Sequence, residues 1–300
     1  MKIKTSTVLK NFSVAAAGAA LFGLETGVAQ AITITPTNNV TALVNALIAG
    51  NSGIVITNAT LQGQSLPTGQ VSTGTFTNLS GTYPENGFGI GQKSGGIVIS
   101  TGNVADYADG PNTSSSKSTS YGVSATPAQE ALLDPLSGAP FPHNDVTQLD
   151  ITFDMLPGKD TIYFDVVFGS EEFPEFIGSS FIDAFGLFVN GTNIAFANGQ
   201  PININNTGYQ AVAGTELDAI VTHCAVNCNV LNFSQFVGNG STGNTLTFII
   251  GDASDTNYDT TAYITNLGGD PPNIPEPASV FGLFAIGVLG AGSIIKGKLK

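Results

Sequence analysis

The 300-residue sequence predicts a mainly β protein, an antiparallel β-sandwich or jelly roll with one or two short helices. Apolar residues recur in short alternating runs, as in Leu149, Ile151 and Phe153 between Asp150, Thr152 and Asp154. That is the period of a strand with one buried face. Glycine, at 37 residues, and asparagine crowd the connections, and no strand-helix alternation or 20- to 50-residue repeat points to a parallel sheet or a solenoid. Charged residues make up 10% of the chain against an ordinary ~25%, while 42% hydrophobic residues suffice for a core.

The chain opens with Lys2, Lys4 and Lys10, an apolar run from Val14 to Leu24, and the small residues of Ala29-Gln30-Ala31. This order reads as a signal peptide over 1–31, with cleavage after Ala31 set by Ala29 and Ala31. The mature body, 32–270, then begins with one helix. In Thr41 to Gly50 the apolar positions 43, 44, 47 and 48 share a face, Asn38 or Asn39 can cap it and Gly50 can stop it.

Strands are expected at Ile54 to Leu61, Val71 to Phe76 and Ile97 to Ser100, followed by a long surface loop from Asp106 to Ser124. A second helix runs from Pro127 to Asp134, proline suiting its first turn. Further strands are expected around 149–154, 162–168, 184–189, 192–196, 230–233, 246–250 and 258–267. Asn190-Gly191 is the signal of a type I′ hairpin, which needs positive φ at both central residues.

Cys224 and Cys228 lie four residues apart, a spacing that in an exported chain reads as a small disulfide loop. A zinc site would need two more ligands, and besides His223 only His143 is available, far away in sequence.

The net charge is −13, with nine lysines, no arginine and 22 acidic residues. Without arginine for phosphate or base contacts, nucleic acid is excluded as a partner. Between 32 and 274 only Lys93, Lys117 and Lys159 face twenty carboxylates. Glu171, Glu172, Glu175 and Asp183 fall within thirteen residues, in a stretch broken by Gly and Pro with no basic residue near in sequence. Such carboxylates repel one another unless protonated, solvated or bound to a cation. A second group, Asp252, Asp255 and Asp259 with Asn257, fills the stretch between two strands. Oxygen-only ligands at irregular spacing suit calcium better than magnesium, and the D-x-D-x-D-G order of an EF-hand is missing. Calcium held by Glu171, Glu172, Asp183, Asp252, Asp255 and Asp259 is the expected cofactor.

Pro275-Glu276-Pro277, the uncharged run 278–295, and Lys296, Lys298 and Lys300 form the tail. Eighteen uncharged residues just span a bilayer as a helix. The three-part order resembles the PEP-CTERM sorting signal of Gram-negative bacteria and cyanobacteria, although its basic cluster is lysine where arginine is usual. The resemblance implies recognition by an exosortase over 271–300 and a surface, outer-membrane or matrix destination. A permanent single-pass anchor is the alternative reading of the span.

Several segments of the body carry a resemblance of their own. Leu43 to Leu47 leading to Ile54-Val-Ile-Thr-Asn58, Gly95-Gly-Ile-Val-Ile-Ser-Thr-Gly-Asn103, Asp109-Gly-Pro-Asn112, Val167-Phe-Gly-Ser-Glu-Glu-Phe-Pro-Glu-Phe176 with Asp183 to Phe188, and Ile250-Gly-Asp-Ala-Ser-Asp255 are similar to the choice-of-anchor L domain. The resemblance covers nearly all of 38–268 and implies an exported surface module, without catalytic residues to carry over.

Two functions follow as expectations. One is a non-enzymatic adhesion or extracellular-matrix protein that meets a polysaccharide or a neighbouring surface protein. The other is a polysaccharide hydrolase or lyase drawing its acid and base from Glu171, Glu172, Glu175 and Asp183. A serine peptidase lacks the G-x-S-x-G elbow. Glu171 and Glu172, being adjacent, would point to opposite faces of a continuing strand and make a poor pair. The absence of Trp removes the best sugar-stacking platform.

Overall fold

The computed structural model describes residues 32–48, 52–78, 95–108, 112, 114, 116–138, 140–211, 217, 219–222 and 230–269. The expected signal peptide, the cysteine pair, the Pro-Glu-Pro tail and the 278–295 span lie outside the described residues.

Two antiparallel sheets face each other. The first follows the order β1 (Thr33–Pro36), β3 (Thr73–Thr77), β4 (Gly96–Ser100), β15 (Thr260–Gly268), β6 (Thr161–Ser170), β12 (Ala219–Val221) and β11 (Tyr209–Ala211), with β13 (Leu231–Phe236) also paired to β6. The second follows β2 (Ile54–Gln62), β5 (His143–Met155), β14 (Asn244–Ala253), β7 (Ala184–Val189), β10 (Gln200–Asn203) and β9 (Phe196–Ala197), with β8 (Thr192–Asn193) on β7. Every paired strand is antiparallel, which meets the expected class.

Alternation decides which side chains meet. Ile162, Phe164, Val166 and Phe168 of β6, Ala262 and Ile264 of β15, and Ile97 and Ile99 of β4 face Leu149, Ile151 and Phe153 of β5, Leu246, Phe248 and Ile250 of β14, and Phe185 and Leu187 of β7. This is the core between the sheets. The intervening residues of the first sheet, Val98, Val167 and Tyr263, pack outward against Ile32, Ile34 and the 3₁₀ turn Val104–Tyr107. Helix α1 (Val40–Leu47), capped by the Asn39 side chain on Ala42 N at 3.0 Å, presses Leu43, Val44 and Leu47 into the main core. Helix α2 (Pro127–Ser137) covers the back of the second sheet, laying Leu133 and Leu136 on Val146, Ala184 and Ile249.

Several expectations change in detail. Helix α2 continues three residues beyond Asp134, through Pro135, because Gly138 at φ 81 supplies the left-handed end. Strand β5 starts at His143, six residues before its clear alternation. Asn190 and Gly191 both have positive φ, 49° and 78°, as the hairpin demands. The described residues hold fifteen strands where about ten are expected: β1, β10, β11 and β12 are additions of three or four residues each, and the strand expected over 192–196 is two, β8 and β9, of two residues each.

Candidate functional site

The inward-facing positions of the strands stay inward to one end of the sandwich, where their chemistry changes from apolar to polar. Beyond Phe168 comes Ser170, beyond Ile99 comes Thr101, and before Ala262 comes Thr260. On the second sheet, Phe185 is preceded by Asp183 and Ile250 is followed by Asp252. The β14–β7 register ends at Gly251 opposite Ala184, so Asp252 and Asp183 come next to each other. Asp183, Asp252, Thr260 and Thr101 are fully buried and Ser170 is nearly so, so two carboxyl groups lie at the end of an apolar core.

Hydroxyls and amides satisfy part of this group. The Thr260 hydroxyl donates to Asp183 Oδ2 at 2.6 Å, Ala253 N donates to Oδ1 at 3.1 Å, and Ser170 Oγ lies 2.9 Å from Thr260 Oγ1. Asp183 N in turn donates to Glu172 Oε2 at 3.3 Å. Asp252 has weaker support: neither of its oxygens meets a donor in good hydrogen-bond geometry, although the residue is wholly enclosed and the Thr101 hydroxyl and the Asp183 carboxyl act on it. Oδ2 of Asp259 is likewise without a donor, while its Oδ1 accepts from Thr119 N at 3.0 Å. The hydroxyls of Tyr121 and Tyr209 add two more buried atoms without partners. Tyr121 lies in the field of Asp259 and Asp145, and Tyr209 in that of Asp183 and Glu172.

Strand β6 ends at Ser170, and a turn takes the chain to β7. Glu171 and Glu172 separate there. Glu171 accepts from Asn112 Nδ2 at 2.5 Å and Lys117 N at 3.2 Å, while Glu172 turns to Asp183. The stretch read as a surface loop therefore does more than cross the surface, because its backbone is held by buried carboxylates. Besides the bonds to Glu171 and Asp259, Tyr121 N and Val123 N each donate at 2.9 Å to Asp145, a fully buried residue with φ 49°. Lys117 points its ammonium at the Asp106 carbonyl, 4.9 Å above the Tyr107 ring.

Burial sets the electrostatics of this group. It raises Asp252 far above the ordinary carboxylate range, with the charges of Asp183 and Asp259 adding to the effect. It raises Glu172 strongly, with Asp183 beside it, and it raises Asp183 despite the Thr260 hydroxyl. Asp259 is pushed up to about 8, again by burial first. Enclosed acids in this condition either keep their protons or share a cation.

Of the six predicted ligands, the structure brings Glu172, Asp183, Asp252 and Asp259 into one buried, electrostatically linked group, with Glu171 acting on it from one flank and Asp255 from another. Asp255 is part-exposed, and its oxygens accept from the N and Nδ2 of Asn257. Glu175 is exposed. No three of these carboxylates place one oxygen each within 4.8 Å of one another. Among the described residues Glu130, Asp134 and His143 form the group that does so. An ion at the end of the core would therefore rest on the Asp183–Asp252 pair, completed by hydroxyl, carbonyl or water oxygens, a mixed set that calcium accepts. The orphaned oxygens of Asp252 fit such an ion. Thr101, Ser170 and Thr260 escape a search of the sequence for acids, and their signal is that each continues an inward-facing apolar series.

Gly102 closes the site from the first sheet. A Cβ there would lie 1.6 Å from Asp259 Oδ2 and 2.0 Å from its Cγ, so the carboxylate fills the space a side chain would need.

Comparison with known proteins gives three findings. A family model described as the choice-of-anchor L domain matches residues 32–267. No curated protein matches the chain. Among solved structures, TmCBM61 in complex with β-1,4-galactotriose is similar at 5% identity, over 70% of this chain and 89% of that one. Its TM-score of 0.23 is too low to bear on fold or ligand.

Proposed function

Because the chain belongs to the choice-of-anchor L domain family, we propose that it is a non-enzymatic module of the cell surface or extracellular matrix, its sandwich closed at one end by calcium. The observation that carries this reading is Asp252, fully enclosed beside Asp183 with neither oxygen meeting a donor in good hydrogen-bond geometry. An ion there would cancel the repulsion and occupy the free lone pairs.

Its task is adhesion, the partner being an extracellular polysaccharide or a neighbouring surface protein. Export with processing by signal peptidase, and then sorting by an exosortase to the cell surface, outer membrane or matrix of a Gram-negative bacterium or cyanobacterium, are supported by the two ends of the sequence. The hydrolase reading has less support. Glu171, Glu172 and Asp183 are each 1% exposed or less, out of reach of a sugar chain, and exposed Glu175 stands apart from them.

Thermal melts of the full-length chain in EGTA, in millimolar calcium and in millimolar magnesium test the proposal. An ion bound only by the folded state at a hundred times its Kd adds roughly 2.7 kcal/mol. At about 2–4 °C per kcal/mol, that raises the midpoint by roughly 5–10 °C with calcium alone. Superimposable melts would remove the ion from the reading.

A further inference from the structure

A second cluster lies on the back of the second sheet, apart from the acids that close the core. Helix α2 is set in phase by a capping box, in which Gln129 N donates to Thr126 Oγ1 at 3.3 Å and Thr126 N to Gln129 Oε1 at 2.9 Å. Glu130 and Asp134, one turn apart, therefore share a face. Gly138 ends the helix, the chain reverses, and β5 begins at His143 under that face.

Glu130 grips His143 twice, accepting from its backbone N at 2.9 Å through Oε1 and meeting Nδ1 at 2.6 Å through Oε2. One ligand atom from each of Glu130, Asp134 and His143 lies within 4.8 Å of the others. The imidazole is 0% exposed and its Nε2 is buried without a partner, whereas Glu130 is 28% exposed and Asp134 is part-exposed. One side of the cluster is fixed in protein and the other is open to water.

We propose that Glu130, Asp134 and His143 form a binding site for a transition-metal ion of the zinc type. One imidazole nitrogen with two carboxylates is a donor set that zinc accepts and calcium does not prefer. Bonds of about 2.0–2.1 Å in tetrahedral geometry separate ligand atoms by roughly 3.3 Å. The ligand nitrogen is Nδ1, whose 2.6 Å hydrogen bond with Oε2 gives up its proton to solvent as the ion enters and the two atoms move apart by some tenths of an ångström, Nε2 keeping its hydrogen on the far side of the ring. Water reaches the site past Glu130 and supplies the remaining ligand. The contacts fix Glu130 in advance through the His143 backbone, so Asp134 is the ligand whose only described partner in the cluster would be the ion.

Titration of the full-length, untagged chain with zinc and with cobalt, in saturating calcium, tests this. The expected result is one ion per chain, with the strong visible bands of tetrahedral cobalt. Asp134→Asn should weaken binding at least tenfold, while its metal-free melting temperature stays within about 2 °C of the parent because the Glu130–His143 pair is intact. His143→Gln should abolish binding, and the double variant Cys224→Ser, Cys228→Ser should keep it. Absence of uptake, full affinity in Asp134→Asn, or loss of binding in the cysteine variant would each overturn the proposal.

Discussion

The Asp259 carboxylate occupies the space that any side chain at position 102 would need, with Oδ2 1.6 Å from the Cβ position of Gly102. The two residues are far apart in sequence but meet where the β4 and β15 ends converge. Gly102→Ala must push Asp259 off Thr119 N, its one described donor, into a fully enclosed space. We expect a loss of roughly 2–4 kcal/mol, as for overpacking joined to a broken buried hydrogen bond. Urea unfolding reads it, and a loss below about 1 kcal/mol would show that the carboxylate has somewhere else to go.

Asp252→Asn separates the two conditions. In EGTA the enclosed Asp252 keeps its proton, so the near-isosteric amide should leave stability within about 1 kcal/mol of the parent. In calcium it should remove most of the increment seen in the parent. Melts of both proteins in both buffers form the test, and a variant that is destabilised in EGTA contradicts the placement of the orphaned oxygens.

Glu175→Gln should leave both the calcium increment and the melting temperature within about 1 °C of the parent, since the residue is exposed. The same variant separates the two functional readings. A polysaccharide-cleaving activity lost in Glu175→Gln would assign the exposed acid a catalytic part that adhesion does not require.

Asp165 gives a pH dependence away from any metal. It is 1% exposed and accepts from Asn232 Nδ2 at 2.6 Å and from Asn266 Nδ2 at 2.7 Å. Burial raises its folded pKa above the ordinary aspartate value in spite of these amides. The folded state therefore holds a proton that the unfolded state has released, and stability falls as pH rises from about 4 through the folded value. Asp165→Asn should lack that slope. Melts at pH 4, 5, 6 and 7 in calcium should show the parent losing ground to the variant, and a constant difference would refute the assignment.

The strands that carry the core were legible because alternation over five or more residues leaves few choices of face, as in Leu246, Phe248 and Ile250. Ala219–Val221 was not, since three residues hold no period and the strand exists by its pairing with β11 and, at Ile220, with Gly169 of β6. Carboxylates drew attention to the site because a Gly- and Pro-broken stretch left them no lysine. Their destinations depended on the turn: Glu172 went inward, Glu175 outward, and Asp255 back onto Asn257. The clasp of Asn112, Lys117 and Thr119 was hidden because backbone amides make those contacts at Lys117 and Thr119, and any residue type can supply an amide.

Of the chain's several crossings between the sheets, those from β6 to β7 and from β14 to β15 lie at the end that holds the acids. That end is thus a seam. Separating the sheets there hydrates carboxylates whose enclosure is costly, whereas separating them elsewhere exposes Phe and Ile. Without an ion the seam is the cheapest place to open, and amides of the 252–260 segment should exchange before those of central β6. With an ion the same seam becomes a rivet. With the proposed calcium in place, the lifetime of the folded chain against proteases would depend on the calcium around it as much as on its core.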